Sequence, residues 1–296
     1  MKKQIHKIVL FLFVLVLVLW GVTVNDNGQG LKEAGLQEKY IGSMQVHFLD
    51  VGQGDSIYVR TPDELDILID GGPDKTVLSE LGAVMPYWDR DIDIMILTHP
   101  HSDHVTGLVE VLRRYNVKQI YYTGALHTAS DYLAWLEEIK EQEIPLSIVS
   151  NRFNIDLGEE INLEFLWPLE NLANKKVTEL NNTSIMNKLV FGEVSFLFTG
   201  DNEAEVEAEL IERGVDLKAD VLKSSHHGSK TSNTEEFINL VDPESVVIQC
   251  GEDNSFHHPH GRVLNRYERS NRNIFRTDLD GRVSFITNGF EIEKIQ

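Results

Sequence analysis

The hexapeptide His99-Pro100-His101-Ser102-Asp103-His104 constrains this chain more than any other stretch. Three imidazoles and a carboxylate follow directly on the apolar run 92–97, which reads as a buried strand. A strand end holds its last residues rigidly, so a loop there can aim several side chains at one point. Neutral imidazole and carboxylate are the ligands that borderline divalent cations such as zinc prefer. A fold built around such a loop has to bring further ligands to the same end of its sheets.

Three later segments have the matching chemistry. Thr199-Gly200-Asp201 follows the strand-like run 194–198, and a carboxylate there can bridge two cations; Asp201 could equally cap the next helix. Ser224-Ser225-His226-His227-Gly228-Ser229 follows the run 219–223 and offers an imidazole. His257-His258-Pro259-His260 precedes a helical pattern, and His260 stands where a helix N-terminus favours an anion. Eight of the eleven histidines fall in the hexapeptide and the last two of these segments.

Composition bears on what such a site could act on. Residues 1–24 hold Lys2, Lys3 and Lys7 and no acid, so the rest of the chain sets 24 bases against 47 acids. That surface is a poor footprint for passive binding of a polyanion. A bound metal pair brings its own positive charge, so a polyanionic substrate is not excluded. The single cysteine, Cys250, rules out an intrachain disulfide and reads as a small buried hydrophobe.

Residues 8–24 are uncharged and almost entirely apolar, behind the three lysines. They predict one N-terminal hydrophobic helix over 1–24, an uncleaved anchor with a cytoplasmic N-terminus; a cleaved signal peptide is the other reading. A polar linker over 25–43 leads to a body over 44–296. That body begins with short β-runs near 45–50, 56–60 and 65–70, and continues with helices over 74–86 and 130–143. Strands over 118–122, 146–149 and 161–166 follow, then a hairpin around Gly192. Helices over 203–213, 233–240 and 259–270 alternate with strands over 219–223 and 245–250, and strands close the chain. The pattern is α/β, two sheets with helices outside and sites at strand ends.

His99-x-His101-x-Asp103-His104, Asp201 and His226 resemble the metallo-β-lactamase-fold hydrolases. Further strings narrow the resemblance to the hydrolase domain of ComEC/Rec2 DNA-uptake proteins and its free-standing relatives. They are Phe48-Leu49-Asp50-Val51-Gly52-Gln53-Gly54-Asp55-Ser56, Leu68-Ile69-Asp70-Gly71-Gly72, Asn181-Asn182-Thr183-Ser184, Thr199-Gly200-Asp201, His226-His227-Gly228-Ser229, His258-Pro259-His260 and Thr277-Asp278-Leu279-Asp280-Gly281. The resemblance implies a four-layer αββα sandwich carrying two divalent metal ions, zinc or manganese. His99 and His101 would hold the first, and Asp103, His104 and His226 the second, with Asp201 between them. His227 is the alternative to His226, which is preferred here because it comes first after the strand. Asp103 would also orient a metal-bound hydroxide, generated because such a pair lowers the pKa of a bridging water.

Where many members of the wider superfamily place a third histidine for the first metal, this chain has Asn181, Asn182 and Ser184. That variant is what the ComEC-like group shows, and it leaves the first site poorer in ligands. Asp70, Gln53 and Asp55 are expected behind the ligands, Asp70 fixing a ligating histidine through its free ring nitrogen; turn chemistry is the other account of these positions. Asn182, Ser184 and His227 join them as residues near the metals or the substrate. His258 and His260 are expected to contact substrate or protonate a leaving group; Lys223, Lys230 and Arg262 could hold a phosphate, but ordinary surface bases are the preferred reading. The implied activity is a membrane-anchored, extracytoplasmic phosphodiesterase or nuclease acting on DNA or nucleotides, with secretion as the alternative location. A small-phosphodiester hydrolase such as a phosphorylcholine esterase is the competing enzyme. A non-catalytic, metal-stabilised binding protein is a third reading, disfavoured by the full ligand set.

Overall fold

The computed structural model describes residues 42–158 and 160–296. The hydrophobic segment 8–24 and nearly all of the linker lie outside them. Among the described residues no helix is long and apolar enough to cross a membrane.

The first half contains β1 (Met44–Phe48), β2 (Ile57–Arg60), β3 (Asp66–Ile69), α1 (Thr76–Val84), β4 (Asp91–Ile92), β5 (Ile94–Ile96), α2 (Ser102–Leu112), β6 (Asn116–Val117), β7 (Ile120–Tyr122), α3 (Ser130–Glu141) and β8 (Leu146–Ile148). The second half contains β9 (Phe153–Asp156), β10 (Ile161–Trp167), β11 (Met186–Phe191), β12 (Val194–Phe198), α4 (Ala204–Glu212), β13 (Val221–Lys223), α5 (Glu235–Val241), β14 (Ser245–Ile248), α6 (Gly261–Arg269), β15 (Asn273–Arg276), α7 (Thr277–Asp280), β16 (Val283–Thr287) and β17 (Ile292–Lys294). One sheet runs β17-β16-β1-β2-β3-β5-β7-β8, and the other β15-β14-β13-β12-β11-β10-β9. The two closing strands therefore return to the first sheet, where Met44 pairs with Thr287 and Phe48 with Val283.

Strand periodicity builds the layers. In β3, Ile67 and Ile69 face the core between the sheets while Leu68 faces the helices; in β5, Ile94 and Ile96 face inward and Met95 outward. Both faces are buried, which is why these segments read as continuous apolar runs. Phe48, Phe165, Phe196, Phe198 and Phe285 fill the central layer. A second apolar layer joins the first sheet to α1, α2 and α3 through Leu81, Leu108 and Trp135. A third joins the other sheet to α4, α5 and α6 through Leu210, Phe237 and Val263. Three apolar layers separate four layers of secondary structure.

Several elements differ from the sequence expectation, two of them at the first and second sheets. The run 92–97 is not one strand: it breaks at Asp93, whose carboxylate accepts the Asp66 N–H at 2.9 Å, so Ile92 pairs instead with Val117 in a small sheet of β4 and β6. Strand β9 is an unforeseen edge strand, secured by Phe153 stacked on Phe165 at 4.4 Å.

Candidate metal centre

The two sheets end together at one place. Strand β5 runs into Leu97-Thr98-His99, β3 into Asp70, β12 into Thr199-Gly200-Asp201, and β13 into the turn Ser225–Gly228. His101 then caps α2 in an extended conformation, which puts Asp103 and His104 in that helix's first turn. The helix sits close enough to the β3 turn for the Gly71 N–H to donate to the His104 carbonyl at 2.8 Å and the Gly107 N–H to the Gly72 carbonyl at 3.0 Å. The glycines are required there: a Cβ on Gly107 would meet Gly71 O at 1.8 Å, and one on Gly54 would meet Asp103 O at 2.2 Å.

One atom each from Asp103, His104, Asp201 and His227 lies within 4.8 Å of the others, a grouping fit for one cation. Asp201 Oδ2 stands 3.3 Å from His104 Nε2 and 3.4 Å from His227 Nε2. Asp103 Oδ2 is 3.4 Å from His227 Nε2. Each imidazole is fixed from behind. Asp70 Oδ2 lies 2.7 Å from His104 Nδ1 and also accepts from Thr98 Oγ1, while its other oxygen accepts the Thr98 N–H. His227 Nδ1 donates to the Gln249 carbonyl at 2.9 Å, with Asp55 Oδ1 3.2 Å away. That leaves both Nε2 atoms buried and, among the described residues, without a hydrogen-bond partner. Buried orphaned nitrogens are costly unless a ligand completes them, and their tautomer is already the one a cation needs. The donor set therefore fits a divalent cation.

The expected ligand His226 is not in this grouping. His226 and His227 are both left-handed, with φ of 50° and 53°, and the double reversal turns His227 inward. His226 presents Nδ1 to Glu203 Oε1 at 3.3 Å and Nε2 to Asp201 Oδ2 at 3.8 Å, at the rim of the centre, and stays partly exposed. Asn233 holds the turn, accepting from the Ser225 N–H and the Tyr267 hydroxyl and donating to the Ser225 carbonyl. Strand order on its own cannot anticipate that reversal.

His99 and His101 form the other half of the centre. His99 Nε2 lies 3.0 Å from His101 Nδ1 and 3.9 Å from Asp201 Oδ2. Residues 181–184 supply no imidazole there, and they act on the backbone. The Ser184 hydroxyl accepts the Asp201 N–H at 3.0 Å, and Asn182 Oδ1 accepts the Glu203 N–H at 2.8 Å. Gln53 likewise pins a neighbouring loop, its Oε1 accepting the Gly251 N–H at 3.2 Å. Lys223, read from the sequence as a surface base that could hold a phosphate, is fully buried behind the ligands. Its ammonium donates to the Gly200 carbonyl at 3.0 Å, pairs with Asp55, and stands 3.7 Å from Asp201 Oδ1. An apolar strand ending in lysine, just before the histidine turn, was the available sign of this role.

The electrostatics follow from that crowding. Burial pushes His104 and His227 down, but the carboxylates of Asp201 and of Asp70 or Asp55 outweigh it and hold both well above the ordinary histidine value. Burial alone would raise Asp201; His227 and His104 hold it well below the usual carboxylate range. A cation held by these Nε2 atoms needs the rings neutral, so its binding would be coupled to proton release. His258 packs against this cluster, its ring 6.1 Å from His227 and 5.5 Å from His226. Burial, then His227 and His226, pushes His258 down to about 3, so it stands as a neutral imidazole and not as a ready proton donor to a leaving group. His260 caps α6, its ring 5.0 Å from His258.

The ligand pattern and the paired sheets agree with a match of residues 49–252 to the family described as the metallo-beta-lactamase superfamily. The chain belongs to that superfamily. It is 30% identical over 259 residues to ComE operon protein 3 of Bacillus subtilis (strain 168), covering 81% of this chain and 33% of that protein. It is 30% identical over 246 residues to Competence protein ComA of Neisseria gonorrhoeae, covering 80% of this chain and 31% of that protein. The chain thus spans about a third of the length of these curated relatives. Among solved structures, Igni18, a metallo hydrolase from Ignicoccus hospitalis KIN4/I, matches with TM-score 0.51 and 16% identity over 81% of this chain and 98% of its own. CmlA, a diiron β-hydroxylase from Streptomyces venezuelae, matches with TM-score 0.53 and 14% identity over 81% of this chain and 53% of its own. These two likenesses concern the fold.

Proposed function

We propose that this protein is a metal-dependent phosphodiesterase acting on nucleic acid or nucleotides. The carrying observation is the cluster of Asp103, His104, Asp201 and His227, with its two orphaned Nε2 atoms, beside the His99–His101 pair. His104, His227, Asp103 and Asp201 would hold one cation, and His99, His101 and the shared Asp201 a second, zinc or manganese. Bound there, such ions supply Lewis acidity toward a phosphoryl oxygen and lower the pKa of water. Asp103, the most exposed of the cluster's carboxylates, is placed to accept a proton from an attacking water. Asp70, with Asp55 and Gln249, keeps the two imidazoles in the tautomer that presents Nε2. His258 and His260 each leave Nδ1 unpartnered beside the cluster and would contact the phosphoryl group or leaving oxygen.

Similarity to two competence proteins favours nucleic acid over phosphorylcholine esters. The apolar residues 8–24 behind three lysines support a single-pass anchor with this body outside the cytoplasm. The test is turnover of bis-p-nitrophenyl phosphate, single-stranded DNA and a phosphorylcholine ester by metal-loaded protein. Asp201→Ala and His101→Ala are expected to lower turnover of the preferred substrate at least ~100-fold. Equal turnover by wild type and both variants would overturn the assignment.

A further inference from the structure

One lip of the centre presents a large apolar ring to solvent. Phe256 is 59% exposed, yet it stacks on His258 with ring centroids 5.8 Å apart and planes 23° from parallel. His258 in turn packs on His227, so the outer face of Phe256 is two rings away from a metal-cluster imidazole. The loop that carries it is pinned. Asn254 donates to the Gly251 and His258 carbonyls at 2.9 and 2.6 Å and accepts the His258 N–H at 2.9 Å. Gly251 is held by Gln53. Gly228 lies so close to Pro259 that a Cβ on it would meet Pro259 Cβ at 2.6 Å, which fixes this loop on the His226-His227 turn. Exposure of Phe256 is therefore built into the loop. It is also paired with an unpartnered group: His258 is more than nine-tenths buried and its Nδ1 has no hydrogen bond among the described residues. Exposed Lys230 stands two residues beyond Gly228, whose carbonyl accepts the His260 N–H at 3.0 Å. An aromatic face and an unpartnered imidazole nitrogen thus stand side by side on this lip.

We propose that Phe256 is the platform on which an unpaired nucleobase stacks while the adjoining phosphodiester lies at the metal centre. This inference rests on the phosphodiesterase reading and adds a residue that selects the substrate. Every base has a π-face, so one exposed aromatic confers preference for nucleoside-bearing phosphodiesters without sequence selectivity. A phosphocholine head group has no such face, and a paired base is not free to offer its own.

The experiment compares kcat/KM of the full chain, in detergent and loaded with manganese, on oligothymidylate and on an oligonucleotide of the same length whose sugars are abasic. Wild type is expected to prefer the base-bearing strand by about tenfold or more, mainly through KM. Phe256→Ala should bring that ratio close to one, and Phe256→Trp should restore it. Cleavage of both strands with no base preference, or a ratio unchanged in Phe256→Ala, overturns the platform and leaves the phosphodiesterase reading standing. Failure of wild type to cleave either strand overturns both.

Discussion

Two adjacent histidines meet the centre at different depths because the backbone reverses twice between a strand end and Gly228. His227 has its Nδ1 committed to a carbonyl and its Nε2 buried in the cluster, whereas His226 gives Nδ1 to Glu203 and Thr231 and keeps Nε2 at the partly exposed rim, 3.8 Å from Asp201. His227→Ala is expected to weaken binding of one metal ion by about 10- to 100-fold, a loss comparable to that seen when a metal site is perturbed in its supporting groups or worse. His226→Ala should keep the wild-type stoichiometry. Metal content after dialysis at a series of free-zinc levels separates the two, and the reverse pattern would restore His226 as the ligand. Asp55 lies behind the imidazoles as its place in sequence suggests, and its pairing with Lys223 buries that lysine there too.

At the scale of elements, the centre is made accurate by how closely α2 lies on the β3 turn. Backbone meets backbone at Gly54, Gly71 and Gly107, so the helix that carries Asp103 and His104 cannot shift without breaking three backbone hydrogen bonds. Gly107→Ala is expected to destabilise the fold by about 3 kcal/mol or more, because neither the Gly71 carbonyl nor the helix can yield. Gly82, in the last turns of α1, has nothing within 4 Å of a Cβ. Gly82→Ala should therefore stabilise by roughly 0.5–1 kcal/mol through helix propensity. Urea unfolding of both variants checks the contrast. Two substitutions identical in chemistry differ in sign because one site is a contact and the other open space.

For the whole molecule, acid stability depends on groups far from the metals. His47 lies on β1 inside the first sheet, Nδ1 2.8 Å from Ser284 Oγ on β16. Burial, and then Arg282, pushes it down to about 3. The folded state thus binds fewer protons than the unfolded state between about pH 3 and the ordinary histidine value of about 6.5. Stability from this group is complete above that upper bound and is lost as pH falls through the window, by about 2 kcal/mol at pH 5. His47→Gln should lower stability overall yet remove that share of the acid loss. Denaturation at about pH 7.5 and about pH 5 measures it as a difference of differences. Buried His99 is also held low by burial and His104, so it contributes equally to both proteins and cancels.

The residue types needed for a metal centre, and their positions at strand ends, are determined by the sequence alone. Apolar runs that alternate between two buried faces can only end at a sheet edge, and His99, His101, Asp103, His104 and Asp201 follow such runs. The tight glycines beside Asp55 and Asp70 are legible for the same local reason. What tertiary structure decided is which neighbour faces inward. His227 prevails over His226 through Asn233 and Tyr267, and Tyr267 lies 43 residues beyond the Ser224 hydroxyl to which it donates. Lys223 is buried because Asp55, from the first strand pair, meets it there. The edge strand β9 alternates cleanly but over only four residues, and its ladder to β10 with the Phe153–Phe165 stack secures it. Periodicity records which face of an element is apolar; it carries no record of contacts made between distant elements, and those contacts aim the ligands.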